Sequence, residues 1–132
     1  MHGARRNGTD RLSAANVTLA ETLKDAGFRT QATVASFVLN TMFGTAQGFD
    51  EYHDVTPPGE GEPIHAERKG NDISQDAVEM LRGLSGDPFF LWVHFYDPHM
   101  PYESERLNPS DSPAAYEDEI AYMDTQIAKV ID

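Results

Sequence analysis

One stretch of sequence decides the fold: Asp87-Pro88-Phe89-Phe90-Leu91-Trp92-Val93-His94-Phe95-Tyr96-Asp97-Pro98-His99-Met100-Pro101-Tyr102. Its apolar and aromatic run is interrupted by His94 alone and ends at Asp97-Pro98. An apolar run with aromatic and β-branched members, bounded by prolines, is typical of a strand buried on both faces. Such strands belong to parallel sheets covered by helices, so we predict an α/β fold with a strand over residues 89–96.

The polar residues that follow this strand are candidates for a functional site. Ligands of open α/β sheets bind just beyond the carboxyl ends of the strands, where Asp97, His99 and Tyr102 would stand. Pro98 and Pro101 surround His99 and would present its ring in a fixed direction at little entropic cost. From position alone a solvated loop histidine is the commoner case, so a functional role for His99 needs support from elsewhere in the chain.

Several segments resemble the sulfatase family, within the alkaline phosphatase superfamily. Residues 89–102 are similar to the family's Pro-His-x-Pro-Tyr segment, and residues 19–30, 44–52 and 119–124 resemble other family segments in the same order. The resemblance implies a three-layer, alkaline-phosphatase-like α/β fold with a mostly parallel sheet flanked by helices. It also implies hydrolysis of sulfate esters. In the family, the histidine matching His99 contacts the sulfate group or its leaving oxygen, so His99 is the predicted catalytic residue.

The same resemblance limits what this chain carries. The family uses a formylglycine made from Cys or Ser in Cys/Ser-x-Pro-x-Arg. Its divalent cation, usually calcium, is held by an Asp-Asp pair upstream and an Asp-Asn or Asp-His pair downstream. This sequence has no cysteine, no Ser-x-Pro-x-Arg and no Asp-Asp pair. We therefore predict no metal-ligating or cofactor-binding residue, and we expect residues 1–132 to be the central part of one sulfatase-type catalytic domain, inactive by itself.

A second departure from the family lies at the end of the strand that we predict over residues 28–39. Many sulfatases have a Gly-Lys-Trp-His motif there, and the corresponding residues of this chain are Ala35-Ser36-Phe37-Val38. Because the lysine and histidine are missing, that part of the family's active site cannot be carried over to this sequence. Either a subgroup has replaced these residues or the substrate differs.

Composition restricts the class of partner. The 132 residues include 10 Lys and Arg against 22 Asp and Glu, a formal net charge of −12, which argues against nucleic acid and anionic membrane surfaces. No apolar run approaches the ~20 residues that span a bilayer. By resemblance, the expected partner is a small-molecule or glycan sulfate ester. The absence of cysteine leaves the compartment open, and resemblance alone points to an extracytoplasmic parent enzyme.

Local signals predict the elements around the central strand. Thr18-Leu19-Ala20-Glu21 is a capping box that begins a helix, Gly27 ends it, and a strand is expected over residues 28–39. Residues 40–54 are interpreted as a loop or short helix, with His53 at the surface. Residues 55–70 contain so many glycines and prolines that we predict a flexible loop.

Two further helices are predicted in the second half of the chain. One covers residues 73–84, with Asp72 or Ser74 as its N-cap. The other begins with Ser112 as N-cap and Pro113 at the first helical position. The expected inward residues of this last helix recur at helical spacing: Tyr116, Ile120, Met123, Ile127 and Ile131. Glu117, Asp118 and Glu119 are interpreted as partners of its dipole rather than metal ligands.

Two polar residues of the central stretch have competing interpretations. His94 shares a strand face with Trp92 and Tyr96, and a neutral, hydrogen-bonded core histidine is favoured over a catalytic one. Asp97 could orient His99 or cap the turn, and the proline that follows it favours the turn role.

Two other functions remain open at the level of sequence. One is a phosphodiesterase or phosphonate hydrolase of the same superfamily, distinguished by a Thr in place of the formylglycine precursor. The other is a non-catalytic interaction domain on the same scaffold, which the missing Lys, metal ligands and nucleophile favour for this chain taken alone.

Overall fold

The computed structural model of the protein describes residues 5–6, 8–55, 67–102 and 110–132. These residues form three α-helices and three strands, in the chain order α1 (Leu19–Asp25), β1 (Arg29–Val34), β2 (Glu51–His53), α2 (Gly70–Arg82), β3 (Phe89–His94) and α3 (Pro113–Ile131). Two short 3-10 helices, Phe37–Leu39 and Thr41–Phe43, lie between β1 and β2.

The three strands form one parallel sheet in the order β2-β1-β3. Strand β1 pairs with β3 along its whole length, from Arg29 opposite Phe89 to Val34 opposite His94. It pairs with β2 over three residues, ending at Thr33 opposite His53. The predicted parallel arrangement of the first strand and the strand after Pro88 is confirmed.

Helices cover both faces of the sheet, as the predicted three-layer α/β fold requires. On one face, Thr33 of β1 donates a hydrogen bond to Asp76 of α2, and α3 packs against α2. On the other face, Phe90 and Trp92 of β3 stack on Phe49, and the nearby α1 contributes Leu19 and Ala20 to the same surface.

The strands are shorter than the sequence patterns predict. The strand expected over 28–39 ends at Val34, where the chain turns into the 3-10 helices, and the strand expected over 89–96 ends at His94. Strand β2 lies in the segment interpreted as a loop or short helix. Its three residues, Glu51-Tyr52-His53, are too few and too polar to produce a recognisable strand pattern.

Burial on both faces was predicted for the wrong strand. Thr30, Ala32 and Val34 of β1 are fully buried, because β1 is the central strand. Strand β3 pairs on one side only within the described sheet, so its residues are half-buried and Phe89 is 46% exposed.

Helix α2 begins earlier than predicted and with a different cap. Its N-cap is Lys69, which makes no side-chain capping bond, so the assignment of Asp72 or Ser74 as cap is wrong. Ser74 is instead buried one turn into the helix, where its hydroxyl contacts the Asn71 carbonyl and Gln126 Oε1, both at 3.0 Å. The buried residues of α2 include Ile73, Ala77 and Met80.

Helix α3 begins as predicted but presents a different face to the protein. Ser112 caps it through the Ala115 amide, and Pro113 is its first residue. The buried residues are Ala115, Glu119 and Gln126, whereas three of the predicted inward residues are exposed: Tyr116 at 41%, Ile120 at 40% and Ile131 at 76%. The dipole interpretation of residues 117–119 is also wrong, since the first turn of α3 holds no acidic residue and Glu119 is buried.

The two ends of the predicted flexible loop are held by the sheet. Residues 56–66 lie outside the described residues, but Val55 is buried and Arg68 donates its amide to the Ala35 carbonyl at 2.8 Å. Glu67 forms an antiparallel bridge with Ser36. The segment that leads into α2 is therefore attached to the chain just beyond β1. In the described part of the chain, no helix combines the length and apolar character needed to cross a bilayer.

Candidate active site

The carboxyl ends of all three strands meet at one edge of the sheet. Strands β1, β2 and β3 end at Val34, His53 and His94, and the paired residues place these ends side by side. Because ligands of parallel α/β sheets bind at this edge, the residues just beyond His94 are the candidate site.

His99 is exposed at this edge and is held by Tyr96. The Tyr96 hydroxyl lies 3.0 Å from His99 Nε2. The two rings are also stacked, with centroids 4.2 Å apart and an angle of 26° between their planes. The peptide bonds before Pro98 and Pro101 are both cis. These are the two prolines that the sequence analysis expected to fix the direction of the His99 ring. The structure adds Tyr96, whose only sequence signal was its position three residues before His99.

The Tyr96 hydroxyl keeps its proton across the neutral pH range. Partial burial raises the pKa of Tyr96 above its ordinary value of 10, and the negative charge of Glu67 raises it further. Tyr96 therefore meets the His99 ring as a phenol and never as a phenolate near pH 7.

His94 lies on the aromatic face of β3, next to Trp92. Its ring contacts Trp92 edge-on at a centroid distance of 6.3 Å. Burial lowers the pKa of His94 below 6.5, in agreement with the neutral core histidine predicted from sequence. The predicted hydrogen bond is not found at Nδ1, which is buried without a partner among the described residues.

Asp97 points toward the start of α2. Its Oδ2 atom is buried, has no hydrogen-bond partner in the described part of the chain, and lies 3.2 Å from the position that a Cβ on Gly70 would occupy. The N-terminus of a helix carries a partial positive charge that suits a carboxylate. Within the residues described, no hydrogen bond joins Asp97 to His99, so neither the orienting role nor the turn cap left open by the sequence is observed.

A second polar cluster lies near the same edge, on the α2 face of the sheet. His53 contacts Asp76 Oδ2 through Nδ1 at 3.0 Å and Glu51 through Nε2 at 3.1 Å, with its side chain 41% exposed. Arg68 bridges Thr33 and Asp76. Burial opposes ionisation of Asp76, but the hydrogen bonds from Arg68 and His53 outweigh it and hold the pKa of Asp76 below 3.8. Because Arg68 is already paired, we interpret this cluster as a structural ion network.

The family assignment follows from the sequence model of the sulfatases, which matches residues 2–132. The chain belongs to the sulfatase family. None of the curated proteins matches the chain.

Solved structures similar to this sulfatase-family chain have the same fold. One is a protein in the alkaline phosphatase superfamily from Vibrio parahaemolyticus, with 24% identity, a TM-score of 0.59, and coverage of 88% of this chain and 31% of that one. Another is Ps i-CgsB, with 13% identity, a TM-score of 0.65, and coverage of 96% and 38%. A third, at 14% identity, TM-score 0.64, and coverage of 98% and 38%, is Ps i-CgsB in complex with k-i-k-neocarrahexaose. The chain thus spans about a third of the length of these proteins.

The segment after β1 packs into the core of this sulfatase-family chain. Ala35, Ser36 and Phe37, which stand where many family members have Gly-Lys-Trp, are all buried. Phe37 packs edge-on against Phe43 at a centroid distance of 5.5 Å. The two positions at which many sulfatases have a lysine and a histidine are therefore occupied here by the buried Ser36 and the half-buried Val38.

The residues described do not form a metal site. Across residues 5–6, 8–55, 67–102 and 110–132, no group of three or more His, Cys, Asp or Glu side chains could hold a metal ion. Asp97 Oδ2, a buried carboxylate oxygen next to the candidate site, faces α2. The donor set of the described part of this sulfatase-family chain does not fit the divalent cation of the family, and we assign no step to a metal here.

Proposed function

We propose that this chain is the central part of a sulfatase-type catalytic domain, and that its longer parent protein hydrolyses sulfate esters. The observation that carries the proposal is the placement of His99 in a sulfatase-family chain. The ring is exposed at the carboxyl edge of a parallel sheet and held by a hydrogen bond and a ring stack to Tyr96. An N–H group held in one direction at a ligand-binding edge suits an anionic substrate.

In this proposal, the groups that sulfate ester hydrolysis requires are supplied partly by this chain and partly by the rest of the parent protein. The reaction needs a nucleophile, a cation that neutralises the non-bridging oxygens, and a group that stabilises the leaving oxygen. In this proposal the formylglycine and the divalent cation, calcium in most of the family, come from other parts of the parent. His99 donates a hydrogen bond to the sulfate group or to its leaving oxygen, where negative charge grows as the ester bond breaks.

The substrate class is a small-molecule or glycan sulfate ester. Support comes from the structural neighbour Ps i-CgsB, which has been solved with an oligosaccharide, k-i-k-neocarrahexaose. The formal net charge of −12 on this chain disfavours long-range attraction of an anionic substrate, so local donors such as His99 and the cation of the parent would supply the attraction.

The test is the substitution His99→Ala in the parent protein, compared with His94→Gln. Loss of a donor to developing charge costs about 10²–10³ in kcat, so His99→Ala should lower kcat by that factor on an aryl sulfate with little change in Tm. His94 is half-buried in the sheet, so His94→Gln should lower Tm and leave kcat close to that of the parent. Near-normal kcat in a stably folded His99→Ala variant would contradict the proposed site.

A non-catalytic domain on the same scaffold is the second candidate. It is favoured by the replacement of the family's lysine and histidine with Ser36 and Val38 and by the lack of a metal-binding group in the described part of the chain. A phosphodiesterase or phosphonate hydrolase would share the fold and would have Thr as its nucleophile. Turnover of an aryl sulfate by the parent excludes the non-catalytic function, and turnover of a phosphodiester in its place identifies the other hydrolase.

A further inference from the structure

We propose that Tyr96 is a positioning residue that selects the tautomer of His99. Its hydroxyl donates a hydrogen bond to Nε2 of the neutral ring, so that the ring proton lies on Nδ1 and the Nδ1–H group is presented at the edge of the sheet. The inference rests on the proposed function, because it names the atom of His99 that would meet a sulfate oxygen.

Two contacts together determine the orientation of the His99 ring. The stack on Tyr96, with centroids 4.2 Å apart and planes 26° from parallel, sets the plane of the imidazole. The 3.0 Å contact between the Tyr96 hydroxyl and Nε2 sets the rotation within that plane. With Nε2 turned toward Tyr96, Nδ1 makes no hydrogen bond within the described residues, and His99 as a whole is exposed. Nδ1 is therefore the ring nitrogen available to a ligand.

The direction of the hydrogen bond follows from the chemistry of the two groups. A neutral imidazole has one N–H donor and one bare nitrogen acceptor, and the hydrogen bond made by one nitrogen decides which of them carries the proton. A phenol is a strong donor and a weak acceptor, because its oxygen lone pair is delocalised into the ring, whereas a bare imidazole nitrogen is a strong acceptor. The Tyr96 hydroxyl contacts no other acceptor in the described part of the chain. A hydrogen bond from the Tyr96 hydroxyl to His99 Nε2 is therefore favoured over one from a His99 Nε2–H group to the Tyr96 oxygen.

This arrangement opposes the intrinsic preference of histidine. A histidine free in water mostly carries its proton on Nε2, so a ring with the proton on Nδ1 is evidence of an external constraint. Partial burial and the charge of Glu67 raise the pKa of Tyr96 above its ordinary value of 10, so the hydroxyl remains a donor at neutral pH and at pH 8. If the ring becomes doubly protonated, Nε2–H donates to the Tyr96 oxygen and the same orientation is kept.

The experiment is nitrogen-15 NMR of the imidazole rings in the labelled 132-residue chain at pH 8, with His99 assigned by the loss of its signals in His99→Gln. The expected wild-type spectrum shows a protonated Nδ1 and a bare Nε2 for His99. Tyr96→Phe keeps the ring stack and removes the hydroxyl, so the major tautomer should change to Nε2–H. Tyr116→Phe removes a hydroxyl from a 41% exposed tyrosine of α3 and should leave the His99 spectrum unchanged.

Two results would overturn the proposal. One is a wild-type ring with its proton mainly on Nε2, which decides the question even if Tyr96→Phe fails to fold. The other is a folded Tyr96→Phe variant whose His99 tautomer equals that of the wild type. The spectrum reports the ring without any turnover, so it separates the two proposals. The NMR spectrum could show a protonated Nδ1 while the His99→Ala variant of the parent protein keeps full activity. That pair of results would refute the proposed function and leave the positioning role of Tyr96 intact.

Discussion

At the scale of single residues, Gly70 at the start of α2 is closely surrounded by α3 and by Asp97. A Cβ placed on Gly70 would lie 3.1 Å from a ring carbon of Tyr122, 3.2 Å from Asp97 Oδ2 and 3.3 Å from Cγ of Gln126. None of these neighbours can move easily, because Tyr122 is hydrogen-bonded to Asn71, Gln126 is 4% exposed and Asp97 Oδ2 is buried. The first residue of α2 therefore has to be small.

We expect Gly70→Ala to destabilise the protein by about 1–3 kcal/mol, the usual cost of overpacking. This outcome runs against helix propensity, which favours alanine by about 1 kcal/mol. The control is Gly83→Ala at the other end of α2. Its nearest atom, the Met80 carbonyl, is 3.4 Å away and its φ of −76° suits alanine, so a gain of up to about 1 kcal/mol is expected. Urea unfolding of both variants measures the difference, and equal stabilities would refute the crowding at Gly70.

At the scale of elements, α3 is attached through polar and small side chains. Gln126 Oε1 accepts from Ser74 of α2 at 3.0 Å, and the Tyr122 hydroxyl accepts from the Asn71 amide at 2.9 Å. Ala115 is fully buried. The apolar residues of α3 that repeat at helical spacing are largely exposed, so hydrophobic periodicity indicated the helix correctly and its inward face incorrectly.

Two neighbouring alanines test which face of α3 is packed. Ala115 is fully buried, whereas Ala114 is exposed on the same turn. We expect Ala115→Leu to cost about 1–3 kcal/mol of unfolding free energy by overpacking. Ala114→Leu should change it by no more than about 0.5 kcal/mol, as is usual for surface positions. Thermal or urea unfolding measures both. Equal tolerance of leucine at the two positions would mean that α3 packs through another face.

At the scale of the whole molecule, Asp50, which directly precedes β2, connects α1 to the central strand β1. Lys24 of α1 contacts Asp50 Oδ1 at 2.7 Å, and the amide of Thr30 in β1 donates to Oδ2 at 2.9 Å. The hydrogen bond from Lys24, followed by that from Thr30, lowers the pKa of Asp50 from 3.8 to about 2. Stability at acid pH therefore depends on this carboxylate.

The pH dependence has a definite sign. In the unfolded chain the pKa of Asp50 is about 3.9, so its contribution to stability is complete above that value and is lost as the pH falls toward 2. Asp50→Asn keeps an acceptor for Thr30 and cannot ionise, so the free energy of unfolding should fall less steeply between pH 4 and pH 2. Lys24→Met, which removes the largest cause of the shift, should flatten the profile in part. Urea unfolding across this range measures the slope, and three identical profiles would contradict the assignment.

Much of the fold was predictable because its signals are local in sequence. The Thr18–Glu21 capping box, the Ser112-Pro113 start of α3 and the apolar run of β3 each involve residues within a few positions of one another. Backbone geometry couples such residues directly, so these patterns predicted helices, a parallel sheet and the edge that presents His99. The role of His99 in catalysis stays a prediction.

Contacts between distant residues were decided by the tertiary structure alone. Strand β2 forms because its three residues pair with Gln31 to Thr33 of β1. The sequence of β2 has no strand pattern by which it could be recognised without these partners. The ion network joins Thr33 to Asp76, 43 positions apart, and the inward face of α3 is set by Ser74 and Asn71 of α2. The hydrogen bond of Tyr96 to His99 spans only three residues, yet it depends on the turn geometry beyond β3. Sequence periodicity specifies which residues can be buried, whereas the packing of the neighbouring elements decides which of them are.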